Sequence, residues 1–377
     1  MNYIPQKQLE SLKKFAKPNK AVIIIGPRRC GKTTLIKKFL EGVKEKYLFV
    51  TGEDLIVKKQ LSSQSINKLK DFVGKNKFLV IDEAQKISDI GLNIKLIIDH
   101  SEGIKIIATG SSAFDLAKNT GEPLTGRKTT LKLFPLSQIE LNEIESLADT
   151  ESNLESRLLY GSYPEVILSR GNKEKEEYLK EIVSSYLYKD LLEFEGVRHS
   201  DKLVKLLQLL AFQIGKEVSY NELGTQLGIS KNTAERYLDL LEKTFVIYKI
   251  SAYSRNKRKE ISTNPRYNFF DNGIRNALIN NFNLLDIRND VGMLWENYVI
   301  TERMKKQEYK RIGSNNYFWR TYQGQEIDLV EERKGKLFGY EIKWTGKKSK
   351  IPSDWRKNDE STSYEVINKE NYLKFIC

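Results

Sequence analysis

The stretch AVIIIGPRRCGKTTL, residues 21–35, decides the fold. It opens with an apolar, β-branched run, continues with a segment that matches the pattern GxxxxGK[ST] in full at residues 26–33, and passes into the helical sequence TLIKKFLEGVKEK. A strand, a glycine-rich loop and a helix in this order form a P-loop, in which backbone N–H groups wrap a phosphate. The sequence therefore predicts a phosphate cradle at the end of the first strand.

The loop supplies backbone donors and two reactive side chains. Lys32 is expected to reach the β- and γ-phosphate oxygens, and the hydroxyl of Thr33 is a predicted Mg²⁺ ligand. We therefore predict ATP or ADP as the ligand and Mg²⁺ as the cofactor. The predicted nucleotide-binding residues are Gly26, Pro27, Arg28, Arg29, Cys30, Gly31, Lys32, Thr33 and Thr34.

A second element, KFLVIDE at residues 77–83, reads as a buried strand that ends in two acids. We expect Asp82 in the Mg²⁺ shell and Glu83 beside the γ-phosphate, where a carboxylate can polarise the attacking water. A further strand at 104–108 leads to Thr109 and Ser111 at the same edge of the sheet. Ser111 is the predicted residue that positions this water, with Thr109 as a weaker choice and a loop-capping role for Ser111 as the alternative.

Changes in periodicity divide the chain. Short β-branched runs alternate with helical stretches in residues 1–145, which predicts a mostly parallel sheet covered by helices. Residues 146–200 read as a helical lid and 201–270 as helices with a β-like end. Residues 271–377 combine a helix with strand-like segments and form a predicted α/β unit.

Composition limits the class of protein. The chain has 377 residues, with 63 Lys and Arg against 50 Asp and Glu, for a formal net charge of +13. This charge favours a polyanionic partner, and we expect DNA, although a Lys-rich proteome would give the same balance. Two cysteines without a Cys/His cluster argue against structural zinc and a disulfide framework. Without a spanning apolar run or a secretory signal pattern, we expect a cytoplasmic protein with no membrane partner.

Five segments together resemble the AAA+ ATPases: GPRRCGKTTL, FLVIDEAQ, IIATGSS, LTGRKTTLKLFPLS and GSYPEV. More narrowly, the chain is similar over most of its length to archaeal and bacterial ATPases that join such a module to a winged helix and a restriction-endonuclease-like C-terminus. The resemblance implies an α/β fold with a P-loop AAA+ core, in which flanking helices cover a parallel sheet. A helical lid, a winged helix and a nuclease-like α/β domain would follow.

The same resemblance implies a role for Arg127, which precedes the segment TTLKLF. In AAA+ proteins an arginine just before the last core strand often enters the site of a neighbouring subunit. A guanidinium there neutralises charge on the γ-phosphate. A salt bridge or a contact to the lid is the alternative role. If Arg127 acts between subunits, we expect a homo-oligomer.

Residues 218–250 show the pattern of a winged helix-turn-helix. A short helix, a glycine turn and a serine N-cap precede a second helix with apolar residues at helical spacing. DNA binding is the favoured function, and packing against protein is the alternative. The predicted contacts to DNA are Lys231, Asn232, Thr233 and Arg236 on the second helix, and Arg255, Lys257, Arg258 and Lys259 in the wing.

The C-terminal region contains acids and a lysine that look like the core of the PD-(D/E)xK nucleases. Asp328 precedes Glu341 by 13 positions, and strand alternation places Glu341 and Lys343 on one face. The two acids, with Glu296 on the preceding helix, are predicted Mg²⁺ ligands, and Lys343 is predicted to activate or stabilise the attacking water. A solvated face of alternating charges, or a domain that keeps the motif without cleavage, is the alternative.

Two other kinds of protein fit the same pattern. The first is a signal-transducing NTPase scaffold that uses its C-terminal half to bind proteins, and the second is a DNA-binding regulator with an incidental nucleotide site. Stimulation of ATP turnover by DNA would separate the favoured DNA-associated ATPase from both.

Overall fold

The computed structural model describes residues 3–111, 124–187, 200–254, 263–346, 349–356 and 362–377. The chain divides into two compact units, Met1–Pro135 and Leu136–Cys377. The first unit thus ends before the boundary predicted at residue 145. The lid, winged-helix and C-terminal regions, predicted as three domains, fall together in the second unit.

The described part of the first unit contains a parallel sheet of five strands in the order β2-β3-β4-β1-β5. Its strands are β1 Lys20–Ile25, β2 Tyr47–Thr51, β3 Phe78–Asp82, β4 Lys105–Gly110 and β5 Lys128–Lys132. This confirms the predicted parallel sheet. The three inner strands are almost wholly buried because helices cover both faces, which explains their nearly continuous apolar sequences.

Helix α1 Gln8–Phe15 precedes β1. Further helices lie in the connections between the parallel strands, since a parallel crossover needs a long connection. In the described residues they are α2 Lys32–Leu40, α3 Leu55–Leu61, α4 Ile66–Val73 and α5 Ile90–His100. Leu35 and Ile36 of α2 pack with Val22 and Ile24 of β1 in one apolar cluster. The cluster fixes the start of α2 next to the end of β1.

The second unit begins with helices. They are α6 Gln138–Leu141, α7 Leu147–Ser152, α8 Leu154–Tyr160, α9 Pro164–Leu168 and α10 Asn172–Glu181, with a π-helical segment at Ile182–Leu187. Further along lie α11 Ser200–Phe212, α12 Tyr220–Leu227, α13 Lys231–Lys243, α14 Asn272–Leu278, α15 Val291–Tyr309, α16 Ser353–Arg356 and α17 Tyr372–Ile376. A continuous apolar cluster joins α10, α11, α12, α13 and α14.

A six-stranded mixed sheet crosses the described part of this unit in the order β11-β10-β9-β8-β6-β7. Its strands are β6 Ile247–Ala252, β7 Arg266–Phe269, β8 Asn315–Arg320, β9 Glu326–Arg333, β10 Lys336–Ile342 and β11 Thr362–Ile367. Strands β6 and β8 pair in parallel at Ser251 with Tyr317 and at Ala252 with Phe318. The strands on either side of the boundary predicted at residue 270 therefore belong to one sheet.

A tight hairpin joins β9 to β10. Lys334 and Gly335 both have positive φ, 50° and 76°. Two such residues give the type I′ twist that matches antiparallel strands. The register pairs Tyr340 with Leu329, so the next position sets Glu341 opposite Asp328 on the same face of the sheet.

The segment GSYPEV closes on a buried carboxylate. Asp271 accepts a hydrogen bond from the backbone N–H of Ser162 at 2.7 Å and caps α14 through the N–H of Ile274 at 3.2 Å. A Cβ on Gly161 would lie 2.0 Å from Asp271 Oδ1, and Gly161 has a φ of 71°. Only glycine fits this turn, so the motif has a structural role here.

Candidate functional site

The glycine-rich loop lies between the end of β1 and the start of α2. Gly31 is the N-cap of α2 with a φ of 99°, which disfavours any side chain. A Cβ on Gly26 would lie 2.0 Å from the carbonyl oxygen of Leu133. Both glycines of the motif are therefore required by the backbone path, and the positive end of the helix dipole points at the loop.

Lys32 folds back over this loop. Its side chain is only 5% exposed, and Nζ donates to the carbonyl oxygens of Gly26 at 2.9 Å and Pro27 at 2.8 Å. The charged ammonium group is thus held at the centre of the loop rather than in solvent. This is where a phosphate bound to the loop would meet it.

Two hydroxyl groups contact the acids at the end of β3, one from the loop and one from β4. Thr33 Oγ1 donates to Asp82 Oδ2 at 2.8 Å, and Thr109 Oγ1 donates to Asp82 Oδ1. Thr109 also accepts from the backbone N–H of Glu83 at 3.0 Å. Because β3, β4 and β1 are adjacent, these side chains meet at one edge of the sheet. A carboxylate and a hydroxyl oxygen are ligands that suit Mg²⁺.

Glu83 occupies an unusual backbone conformation, with a φ of 51°. Its Oε2 accepts from Gln85 Nε2 at 2.6 Å, which orients the carboxylate. A Cβ on Gly52 would lie 2.3 Å from the carbonyl oxygen of Glu83, so the neighbouring strand end must carry glycine. Such strain in a non-glycine residue is typical of functional sites.

Ser111 and Thr109 differ in their relation to the acids. Ser111 was predicted to position the attacking water, and it lies partly buried just beyond β4. Thr109 contacts both Asp82 and the backbone of Glu83. The structure therefore connects Thr109 to the acidic pair. The role of Ser111 stays a prediction.

The remaining loop residues differ in exposure. Arg29 and Thr34 are exposed and Arg28 is partly buried. Cys30 is fully buried, and its Sγ contacts the carbonyl oxygen of Leu133 at 3.6 Å. Because its side chain is buried, Cys30 can offer only its backbone to a ligand, and its thiol fills space inside the loop.

Gln6 supports the loop from outside the motif. Its side chain is 6% exposed, and Nε2 donates to the carbonyl oxygens of Cys30 at 3.4 Å and Gly31 at 3.5 Å. Sequence analysis missed this residue, since a lone glutamine before the first helix gives no motif. A polar residue within the amphipathic N-terminal segment was the only available signal.

Arg127 lies just before β5, as predicted. Its Nε donates to Asp99 Oδ1 at 2.7 Å, and the arginine side chain is 39% exposed. The structure thus shows the ion pair that was the alternative to a role between subunits. Exposed pairs of this kind are weak, so Arg127 can exchange this partner for another anion.

The predicted recognition helix is α13, and it has two distinct faces. Ser230 caps it by accepting from the N–H of Thr233 at 3.1 Å, after a turn in which Gly228 has a φ of 62°. Lys231, Asn232 and Arg236 are exposed, and Thr233 is partly buried. The apolar residues predicted at helical spacing are all buried, namely Ala234, Tyr237, Leu238 and Leu241. The predicted wing residues Arg255, Lys257, Arg258 and Lys259 lie outside the described residues.

Asp328, Glu341 and Lys343 come together in the second unit. Lys343 Nζ lies 2.5 Å from Glu341 Oε1, and the backbone N–H of Ile342 donates to Asp328 Oδ2 at 2.7 Å. Both acids are nearly buried, at 5% and 6% exposure. Within the part of the chain that the structure describes, Glu341 Oε2 is buried and has no hydrogen-bond partner. A buried carboxylate oxygen without a partner is costly unless a ligand satisfies it.

Glu296, on α15, completes the acidic environment. Burial, followed by the charge of Asp328, raises the pKa of Glu296 well above its ordinary value. Burial, followed by the charge of Glu341, likewise raises the pKa of Asp328. Burial lowers the pKa of Lys343, but its hydrogen bond to Glu341 and the nearby acids outweigh burial, so this pKa lies above its ordinary value. The environment therefore favours the cationic form of Lys343 and disfavours ionisation of both Glu296 and Asp328.

Arg266 is a residue of this site that sequence analysis missed. It lies on β7 with 6% exposure, 3.1 Å from Glu326 and 3.9 Å from Glu296. Its sequence context, in the predicted winged helix, gave no indication of a contact with the C-terminal acids. Among the described residues, no group of three or more His, Cys, Asp or Glu side chains is placed to hold a metal ion. The predicted set of three acids is thus not assembled around one point.

The fold and the loop geometry define the class of the first unit as an AAA-type P-loop ATPase domain. In agreement, the family model described as "AAA domain" matches residues 18–142. Two further family models, both described as domains of unknown function, match residues 151–285 (DUF8612) and 291–371 (DUF4143). The first match supports nucleotide binding and ATP hydrolysis by this chain.

Similar proteins extend over both units. An uncharacterized protein of Mycobacterium tuberculosis is 28% identical over 332 residues, which cover 86% of this chain and 70% of that protein. An uncharacterized protein of Haemophilus influenzae is 25% identical over 391 residues, with coverage of 98% and 92%. Among solved structures, a Signal Transduction ATPase with Numerous Domains from Pyrococcus horikoshii, which has a tetratricopeptide repeat sensor, is 16% identical with a TM-score of 0.31. That match covers 83% of this chain and 48% of the solved chain.

Within the described residues, no helix combines the length and the apolar character needed to cross a membrane.

Proposed function

We propose that the chain is a Mg²⁺-dependent ATPase that acts on DNA. The observation that carries the ATPase is the chain of hydrogen bonds from Thr33 through Asp82 to Thr109 and Glu83, next to the buried ammonium of Lys32. Thr33 and Asp82 would hold Mg²⁺, which supplies positive charge at the phosphates when bound. Lys32 then binds the transferred phosphate, and Glu83 accepts a proton from the attacking water.

The ATPase is tested with three variants. Lys32→Ala is expected to abolish turnover, and Glu83→Gln is expected to keep nucleotide binding while turnover falls by at least about a hundredfold. Lys37→Ala serves as the matched control, because Lys37 lies on the same helix and is exposed. Unchanged turnover in either of the first two variants would contradict the assigned roles.

The two faces of α13 support an action on DNA. Its buried face packs into the unit, and the exposed Lys231, Asn232 and Arg236 lie in its first two turns. In helix-turn-helix proteins the N-terminal residues of the second helix contact base edges and phosphates. The net charge of +13 adds a general attraction for DNA.

Turnover measured with and without single- and double-stranded DNA tests this part. We expect DNA to stimulate ATP hydrolysis, and the Lys231→Ala variant to need more DNA for the same stimulation. A rate that no DNA form changes would favour the signal-transducing scaffold instead.

A second candidate activity, DNA cleavage, is favoured by Glu341 Oε2, which finds no hydrogen-bond partner among the described residues and lies beside Asp328 and Lys343. Two carboxylates, Asp328 and Glu341, would be the ligands of a divalent cation there. Lys343 would stabilise the water that attacks a phosphodiester. Cleavage that is abolished in Asp328→Ala but kept in Glu332→Ala would establish this activity. Glu332 is the matched control because it lies on the same strand and instead accepts a hydrogen bond from Asn315 at 3.2 Å. Intact DNA after incubation with Mg²⁺ or Mn²⁺ would exclude it.

The role of Arg127 between subunits also stays a proposal, and the ion pair with Asp99 is its alternative. Mixing Arg127→Ala with Lys32→Ala protein tests it. If Arg127 enters a neighbouring site, mixed oligomers recover activity, because some sites then combine an intact loop with an intact arginine. No recovery, with a monomeric mass in the presence of a nonhydrolysable ATP analogue, would leave the ion pair as its role.

A further inference from the structure

A cleft of about 580 Å³ lies in the second unit where β6 ends beside β8. In the described residues, the two strands pair over two positions, the last being Ala252 with Phe318. Beyond this pair the cleft has Tyr253 on one side and Trp319 and Arg320 on the other. We call it the β6–β8 cleft. Its volume lies within the range of about 300–1,000 Å³ that ligand sites occupy.

Aromatic rings dominate the walls of this cleft. Tyr253, Phe318, Trp319 and Tyr322 all line it. Trp319 is 8% exposed and is braced edge-on by Trp355 at 5.5 Å between ring centroids. Tyr322, in the turn after β8, is 97% exposed. The cleft thus has a fixed ring inside and an exposed ring at its mouth, and aromatic rings are the surface on which bases stack in single-strand-binding proteins.

One ion pair supplies the polar part of the lining. Arg320 lies 3.1 Å from Glu217, and both side chains are partly exposed. A guanidinium donates hydrogen bonds and a carboxylate accepts them. Together they match the edge of a base, which carries both donors and acceptors. Because the two charges balance, the cleft floor suits a neutral base better than a phosphate group.

The cleft also borders the cluster formed by Asp328, Glu341, Lys343 and Glu296, which we call the acid site. Its wall residue Phe318 lies under the guanidinium of Arg266, 4.3 Å from the ring centroid. Arg266 in turn contacts Glu326 and Glu296. A strand whose bases enter the cleft would therefore bring its backbone close to the guanidinium of Arg266 and to the acids that it contacts.

We propose that the β6–β8 cleft binds nucleobases of single-stranded DNA and holds the strand beside the acid site. The inference rests on the proposed action on DNA and adds the form of DNA and the place where it binds. An extended peptide would also fit the gap between strands, but the excess of positive charge, +13 over the chain, favours a polyanion.

Fluorescence anisotropy with a labelled oligothymidylate of about 15 nucleotides tests the proposal. Thymidylate avoids the adenine-nucleotide site of the first unit. Tyr322→Ala is expected to weaken binding by about 5-fold to 100-fold, the loss that follows removal of one stacking ring. Tyr322→Phe keeps the ring and should bind as the wild type does. Ile287→Ala is the matched control, since Ile287 is 72% exposed and lies outside the cleft lining.

Three outcomes decide the proposal. Loss in Tyr322→Ala with retention in the two controls supports it, and competition by dTMP then shows whether free nucleotides use the same cleft as the strand. Equal binding by Tyr322→Ala and the wild type overturns it and leaves an extended peptide as the remaining occupant. If no DNA, single- or double-stranded, binds the wild type, the proposed action on DNA fails as well.

Discussion

At the scale of single residues, the hydroxyl of Thr109 is the contact that most refines the nucleotide site. It bonds Asp82 and the backbone of Glu83 at once. The Thr109→Val variant keeps the shape of the side chain but removes its hydroxyl. The Asp82 carboxylate and the Glu83 backbone N–H then lose a hydrogen-bond partner, which costs about 1–3 kcal/mol for each buried group. We expect turnover to fall at least about tenfold while nucleotide binding persists. Steady-state kinetics beside Ser111→Ala checks this, and a larger loss in Ser111→Ala would restore the original choice of residue.

Sequence analysis could place the loop and the acidic pair because each motif is local. Lys32, Asp82 and Glu83 each follow an apolar strand, so the carboxyl edge of the sheet collects them. The supporting contacts are not local. Gln6 and Arg266 reach their partners from segments without a motif, and only the folded chain shows which residues meet.

A second residue-scale prediction concerns pH and Asp271. Burial raises the pKa of Asp271 to about 6, against hydrogen bonds from Ser162 and Ile274 and the charge of Lys305. Between about pH 4 and pH 6 the folded state keeps a proton that the unfolded chain has lost, so the free energy of unfolding falls as pH rises. Once the pH exceeds this pKa, the free energy of unfolding has fallen by about 3 kcal/mol in total.

Asp271→Asn removes this titration. Urea unfolding of both proteins across that window is expected to show stability falling with pH in the wild type relative to the variant. Parallel pH profiles for the two proteins would mean that Asp271 ionises normally.

At the scale of elements, the start of α13 carries a prediction of its own. Ser230 accepts from the N–H of Thr233 and so caps the helix that presents Lys231 and Asn232. Ser230→Ala should destabilise the second unit by about 1 kcal/mol, and Ser230→Asp should restore it because aspartate caps equally well. Chemical unfolding measures both. Equal stability of the Ala and wild-type proteins would show that the cap contributes nothing.

The hairpin of β9 and β10 shows where prediction from sequence worked at this scale. The turn residues Lys334 and Gly335 fix the register, and the register alone sets Glu341 opposite Asp328. The pairing of β6 with β8 could not be predicted in this way. It joins segments about sixty residues apart, through two positions that no motif marks.

At the scale of the whole molecule, the positive charge predicts how DNA binding depends on salt. Each phosphate neutralised by Lys or Arg adds about 0.9 to the slope of log affinity against log salt concentration. Lys231→Ala and Arg236→Ala should each lower this slope by about one. Lys243→Ala should leave it unchanged, because Lys243 lies at the other end of α13 and pairs with Asp239 at 2.6 Å. Titrations at several salt concentrations test this, and equal slopes for all variants would remove α13 from the interface.

The sheet of the second unit also affects how this part of the gene can evolve by recombination. Recombination between genes separates segments cleanly only where few contacts cross the cut. A cut near residue 288, between the regions matched by the two domain models of unknown function, would separate β6 from β8 and Arg266 from Glu296. Each fragment would then expose an unpaired strand edge, which favours aggregation. We therefore expect these two modules to be transmitted through evolution as a single block rather than shuffled independently.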